Sequence, residues 1–252
     1  MTQENFLAMD ADSAFGMFDA MGSDNALELE GDQMAGMFGA MDQEQIGGMH
    51  GDMVFDAFEN MGTDGMMSLD GDSMAGMFDA MDSEHFLEIP GNEMFEMAGN
   101  MSGDNFSAMG SDSAFGMFDT MGADMVMDLE GDQLGGMLDA MGSEHFHEIG
   151  EDQMFEMAGN MSGDNFSAMG SDSAFGMFDT LGTDMVMDLE GDQLAGMFDA
   201  MEHDQIGQME GDMVFDIFEN MGTEGMMSLD GDSMAGMFDA MDSGHLHDIG
   251  GD

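Results

Sequence analysis

The sequence predicts an all-α fold, a solenoid of short helix pairs with one pair in every 20 residues. Three observations predict it. The 252 residues divide without gaps into 20-residue units, twelve full ones and a partial one over 241–252, and a fixed period near 20 marks a repeat architecture. Within each unit the apolar residues recur at helical spacing. Between them lie Asp, Gly, Ala and Met, which are poor strand formers.

The units come in kinds. Every unit opens with Met except the one at Leu181. Five kinds run from Met1, Met21, Met41, Met61 and Met81; the order restarts at Met101 and again at Met161. The segment MSGDNFSAMGSDSAFGMFDT at 101–120 returns letter for letter at 161–180. The super-repeats are therefore 1–100, 101–160 and 161–252, and the middle one lacks two units. Loss of whole units implies interchangeable modules, so 1–252 reads as a single tandem array.

The first half of a unit predicts a short helix. Position 3 is often Ser or Thr (Ser23, Thr63, Ser83, Ser143), and position 4 is acidic in twelve of thirteen units. An acid near a helix start complements the helix dipole. Apolar residues follow at positions 6 and 9, such as Phe106 and Met109. A strand over HFLEI (85–89) or HFHEI (145–149) is the alternative and would make a β-α solenoid. The spacing of three favours helix.

The second half predicts a longer helix. Position 12 is Asp in twelve of thirteen units and Asn92 in the other, which suggests an N-cap there. Met74, Met77, Phe78 and Met81 then fall at i, i+3, i+4 and i+7, one helix face. Position 15 alternates between Phe (Phe15, Phe55, Phe95) and Ala (Ala35, Ala75), as interdigitating side chains require. The glycines at position 16 (Gly16, Gly36, Gly76, Gly116) each cost about 1 kcal/mol relative to Ala in a helix interior.

Charge sets the chemistry. There are 56 Asp and Glu and no Lys or Arg, a formal charge of −56. Intrachain Lys or Arg ion pairs are impossible, and nucleic acid is excluded as a partner because phosphate needs cationic residues. Self-repulsion predicts poor folding at low salt. There is no Cys, so no disulfide and no thiolate site. No apolar run approaches the length of a membrane span, and the N-terminus has no leader pattern, so neither membrane insertion nor a signal peptide is expected.

Hard oxygen ligands in pairs point to Ca²⁺ or Mg²⁺ as weak, multiple ligands. The D-x-D pairs are Asp10 with Asp12, Asp70 with Asp72, and Asp230 with Asp232. Column 19 is acidic in nine of twelve units, including Asp19, Asp79, Asp119 and Asp179. A charge there lies near a helix C-terminus, where the dipole opposes it, and stacked units would align like columns as a ladder for cations. These are not EF-hand loops, since helix follows the second acid directly. Soft metal is the other possibility. The chain has 42 Met, and His145/His147 and His245/His247 form H-x-H pairs, so a Met- and His-based copper store is an alternative. Core packing explains the Met columns more simply. No nucleophile-base motif or phosphate loop is present, so no enzyme is expected.

The segment MGSDSAFGMFDTM (109–121) resembles the cadence of the short-helix superhelix in magnesium-channel cytoplasmic domains and flagellar switch proteins, apolar-x-Pro-Glu-x-Ala-x-x-Leu-Leu-x-x-Leu, with Ser-Asp for Pro-Glu. In repetition, acidity and array length the chain more closely resembles the short-helix tandem arrays of large bacterial surface, adhesin-like proteins. The absence of Lys and Arg departs from both. The resemblance implies a structural or spacer role in an elongated extracellular or cell-surface protein. Its partners would be divalent cations, neighbouring repeats of a longer chain, or a basic protein for which this is the acidic partner.

Overall fold

Each of the twelve full units folds into a short helix and a longer one, as the two apolar patterns require. The computed structural model describes residues 2–26, 28–241 and 244–245. The histidine pair 245/247 therefore lies partly outside the described residues, as do most of the partial last unit and the Ser23 side chain. Among the described residues there is no strand, so the helical reading holds over the β-α alternative. The helices pack against one another in a repeat-like arrangement.

Two compact units divide the chain, Met1–Leu129 and Glu130–Asp252. The division falls inside the repeat that begins at Met121, not at a super-repeat boundary. The first unit contains α1 (Gln3–Leu7), α2 (Ala11–Met21), α3 (Ser23–Ala26), α4 (Gly31–Phe38), α5 (Gln43–Gly47), α6 (Gly51–Met66), α7 (Gly71–Ala80), α8 (Ser83–Phe86), α9 (Gly91–Ala98), α10 (Gly103–Ser107), α11 (Ser111–Met121) and α12 (Ala123–Val126). The second contains α13 (Gly131–Ile149), α14 (Glu151–Asn160), α15 (Gly163–Ser167), α16 (Ser171–Val186), α17 (Gly191–Ala200), α18 (His203–Ile206), α19 (Gly211–Ser228) and α20 (Gly231–Ala240).

Helix starts fall two residues earlier than position 12 predicts. Asp10, Asp70 and Asp230, at position 10, are the N-caps of α2, α7 and α20. Position 12 is instead the second residue of the helix, where an acid complements the dipole but caps nothing. Short helices cap at position 2, one residue before the Ser/Thr-rich position 3. Ser102 and Ser162 each accept the N–H of Asn105 or Asn165, whose side chain returns to the cap, forming a capping box. Where position 2 is Gly, the corner is turned by backbone alone. Gly62, Gly142, Gly182 and Gly222 have φ of 64°, 65°, 68° and 65°, a region that side-chain-bearing residues rarely occupy.

The apolar columns form the core as predicted. Met34, Met37, Phe38, Met74, Met77, Phe78, Leu194, Met197 and Phe198 are fully or almost fully buried. Phenylalanines at position 18 of successive repeats meet edge to face, Phe18 with Phe38 at 5.5 Å and Phe178 with Phe198 at 6.0 Å. Position 15 does not divide by size alone: Ala35, Ala75, Ala195 and Phe55 are buried, whereas Phe15, Phe175 and Ala235 are exposed.

Position-16 glycines after the first repeat, such as Gly36, Gly76, Gly176 and Gly196, mark where the chain of an earlier repeat is pressed against a long helix. A Cβ on Gly76 would lie 2.8 Å from the Gln43 carbonyl oxygen of α5. One on Gly196 would overlap the Gly163 backbone of α15, and one on Gly176 the Ser143 side chain. The helix-propensity loss at these glycines is thus exchanged for close packing.

Candidate functional site

The acid columns are the largest chemical feature, and their surroundings explain many of them. Column 12 accepts from position 5 of a later repeat. Gln45 Nε2 donates to Asp12 at 3.1 Å, Asn105 Nδ2 to Asp72 at 2.7 Å and Gln205 Nε2 to Asp172 at 3.2 Å, each pair 33 residues apart. Histidine fills position 5 in three repeats, at His85, His145 and His245. His85 Nε2 lies 3.3 Å from Asp52, and His245 Nε2 lies 3.0 Å from Asp212. Their rings also rest on Phe55 and Phe215, at 4.8 and 4.9 Å.

Column 19 accepts backbone N–H groups. Gly110 donates to Asp79 at 2.8 Å, Gly170 to Asp139 at 2.8 Å and Asp230 to Asp199 at 2.9 Å, each 31 residues on. For these three acids this removes the electrostatic puzzle of the sequence. Each carboxylate ends its own helix but stands at the N-terminus of another, where a negative charge is favourable. Asp79 also lies 3.5 Å from Gln43 Nε2, and Asp239 lies 3.1 Å from His203 Nε2. In these contacts the acids of columns 12 and 19 meet donors, not like acids at an interval of 20.

The D-x-D pairs divide their work in the same way. Asp10 accepts the Ser13 N–H at 2.9 Å and faces its hydroxyl at 3.0 Å. The Ser13 hydroxyl, and then its N–H, hold the Asp10 carboxyl below the ordinary aspartate range. Asp70 accepts the Ser73 N–H at 2.9 Å. Asp230 accepts from Asp232 N–H at 2.9 Å and Ser233 N–H at 2.7 Å. The Ser233 N–H, and then its hydroxyl, lower the Asp230 carboxyl likewise. Asp232 gives its N–H to Asp230, and its carbonyl lies 3.4 Å from His203 Nδ1. Asp19 is exposed on α2. Among the described residues, no group of three or more His, Asp and Glu side chains comes together to hold a metal ion.

Asp119 and Asp179 line grooves instead, and these two grooves are one feature seen twice. The larger, about 880 Å³, lies between α8 and α11 and is lined by Asp82, Phe86, Leu87, Phe115 and Asp119 among others. The smaller, about 270 Å³, is lined by Ser143, His147, Asp172, Phe175, Gly176 and Asp179. Position by position these are the same places in the repeat, and one wall comes from the duplicated 20-residue segment. Sequence reasoning passed over both grooves. The only signal was an exposed Leu87 where the sister repeat has His147.

Searches against protein-family models and against curated proteins give no match. Function therefore rests on the geometry. Among the described residues no helix is long and apolar enough to cross a membrane.

Proposed function

We propose that the chain is a structural segment of an elongated, polyanionic, solenoid-like repeat protein of the bacterial cell surface, and that its acidic skin gathers many weakly bound divalent cations. The supporting observation is the state of the seam carboxylates. Asp12, Asp72 and Asp172 each join two helices through a neutral amide donor, yet remain exposed to solvent. A carboxylate has about four acceptor sites, so one such bond leaves most of its capacity facing water. With no Lys or Arg in the chain, mobile cations must supply the counter-charge, and oxygen-rich surfaces favour Ca²⁺ or Mg²⁺. The copper alternative is the weaker reading, because the Met columns lie in the core and few thioethers are as open as Met227.

The test is far-UV circular dichroism in low-salt buffer with EDTA, followed by Ca²⁺ titration, with NaCl at matched ionic strength as control. The expected result is helix formation at millimolar Ca²⁺ that NaCl does not reproduce. Full helix in EDTA, or equal rescue by NaCl, leaves the acids as a solvated skin and removes the divalent-cation reading.

A further inference from the structure

The larger groove contains something a cation scaffold does not need. Leu87 is 75% exposed at the end of α8, beside the groove residues Asp79, Asp82, Asp112 and Asp119. A metal ion gains nothing from leucine. The floor is aromatic, with the Phe86 ring 2.8 Å from where a Gly116 Cβ would lie. The three atoms nearest that point all belong to Phe86, whereas at Gly176 the nearest is the Ser143 side chain. The groove is about 880 Å³ at 81–120 and about 270 Å³ at 141–180.

The sequence isolates the cause of the difference. The walls 111–120 and 171–180 are identical. The segments 81–90 and 141–150 differ at three positions: Asp82 for Gly142, Leu87 for His147, and Pro90 for Gly150. Two of these line the larger groove, and both change what it offers, one by adding a carboxylate and the other an apolar surface.

We propose that the 81–120 groove docks a cationic peptide segment of a partner protein, with Lys or Arg side chains flanking one large apolar anchor. Charge complementarity decides the occupant. The charged residues that line it, Asp79, Asp82, Asp112 and Asp119, are all acidic, and the chain has no Lys or Arg of its own to fill it. The anchor covers Leu87 and Phe115, while the flanking cations meet the carboxylates, giving a buried apolar centre inside a polar rim. The 141–180 groove lacks both distinguishing side chains and is not a second site. This goes beyond the cation-scaffold reading and does not depend on it.

The chain has no Trp or Tyr, so a lysine-rich peptide with one central Trp reports its own burial. Its fluorescence is followed on titration with the full chain at about 150 mM NaCl, where the Debye length is about 8 Å, and near pH 8, where an ordinary imidazole is neutral. The expected result is a blue shift saturating at one peptide per chain. Leu87→His, which copies the side chain of the sister repeat, weakens binding about tenfold or more. Leu7→His, at a leucine 50% exposed outside the groove, leaves binding unchanged. Three results overturn the proposal: no blue shift, saturation at many peptides per chain, or equal affinities for Leu87→His and wild type. Calcium-induced helix is read separately, so either proposal can fail alone.

Discussion

Asp230 shows how much one acid does in this chain. Its side chain accepts two N–H groups at the start of α20, while its own N–H donates to Asp199. Asp230→Ala removes the side-chain acceptor and should cost about 1 kcal/mol, the usual loss on deleting an N-cap. Asp230→Asn keeps a cap but loses the charge, and should cost less than Asp230→Ala at neutral pH. The lowered carboxyl sets the pH behaviour. A group whose folded value lies below its unfolded one stabilises the fold above the unfolded value, near 3.9 for aspartate. That contribution disappears as pH falls through the lower folded value. Any advantage of wild type over Asp230→Asn should therefore shrink as pH falls below about 4. Urea unfolding of both proteins across that range checks it; a gap that stays constant would show that ionisation of this cap is irrelevant.

At the scale of elements, the glycines at position 16 supply an internal control. Gly196 lies against the backbone of α15, whereas Gly16 has no atom within 4 Å of where its Cβ would be. Alanine at Gly16 should stabilise by up to about 1 kcal/mol through helix propensity alone. Alanine at Gly196 should destabilise by about 1–3 kcal/mol, because overpacking displaces the facing helix. Equal effects in thermal melts would mean that these glycines are not packing devices. The comparison also marks where sequence reading stopped. The buried columns were legible because the helical period is local: Met74, Met77 and Phe78 lie on one face whatever surrounds them. The cap was misplaced because the constant column, position 12, reads like a cap, whereas position 10 varies from Asp230 to Pro90 to Gly110. The seams were hidden altogether. Nothing in the sequence states that position 5 returns to position 12 after 33 residues, since that depends on how helices lie in space. The larger groove was legible only as Leu87 against His147, two letters whose meaning appears once α8 and α11 are side by side.

Considered as a whole molecule, the chain depends on phase. Its polar seams span 31 and 33 residues, while its sequence repeats every 20, so each seam joins unlike positions: 10 with 19, and 5 with 12. Adding or removing whole units leaves those pairings intact. The middle super-repeat shows this naturally, for it lacks two units, yet Asp139 still meets Gly170 at a separation of 31. Removing part of a unit breaks the phase. Deletion of residues 41–80 would convert the first super-repeat into the pattern of the middle one. Position 5 would again find position 12, and the apolar columns would remain opposite one another. Deletion of residues 41–70 removes less chain but shifts every downstream helix by half a unit against its upstream partners. Amide donors would then face apolar columns, and carboxylates would enter the core, where an unpaired charge is costly. The larger deletion should keep its helix content per residue and a cooperative urea transition, and the smaller should lose cooperativity. If both unfold alike, the seams do not choose which helices pair, and the fold is held by apolar burial without regard to register.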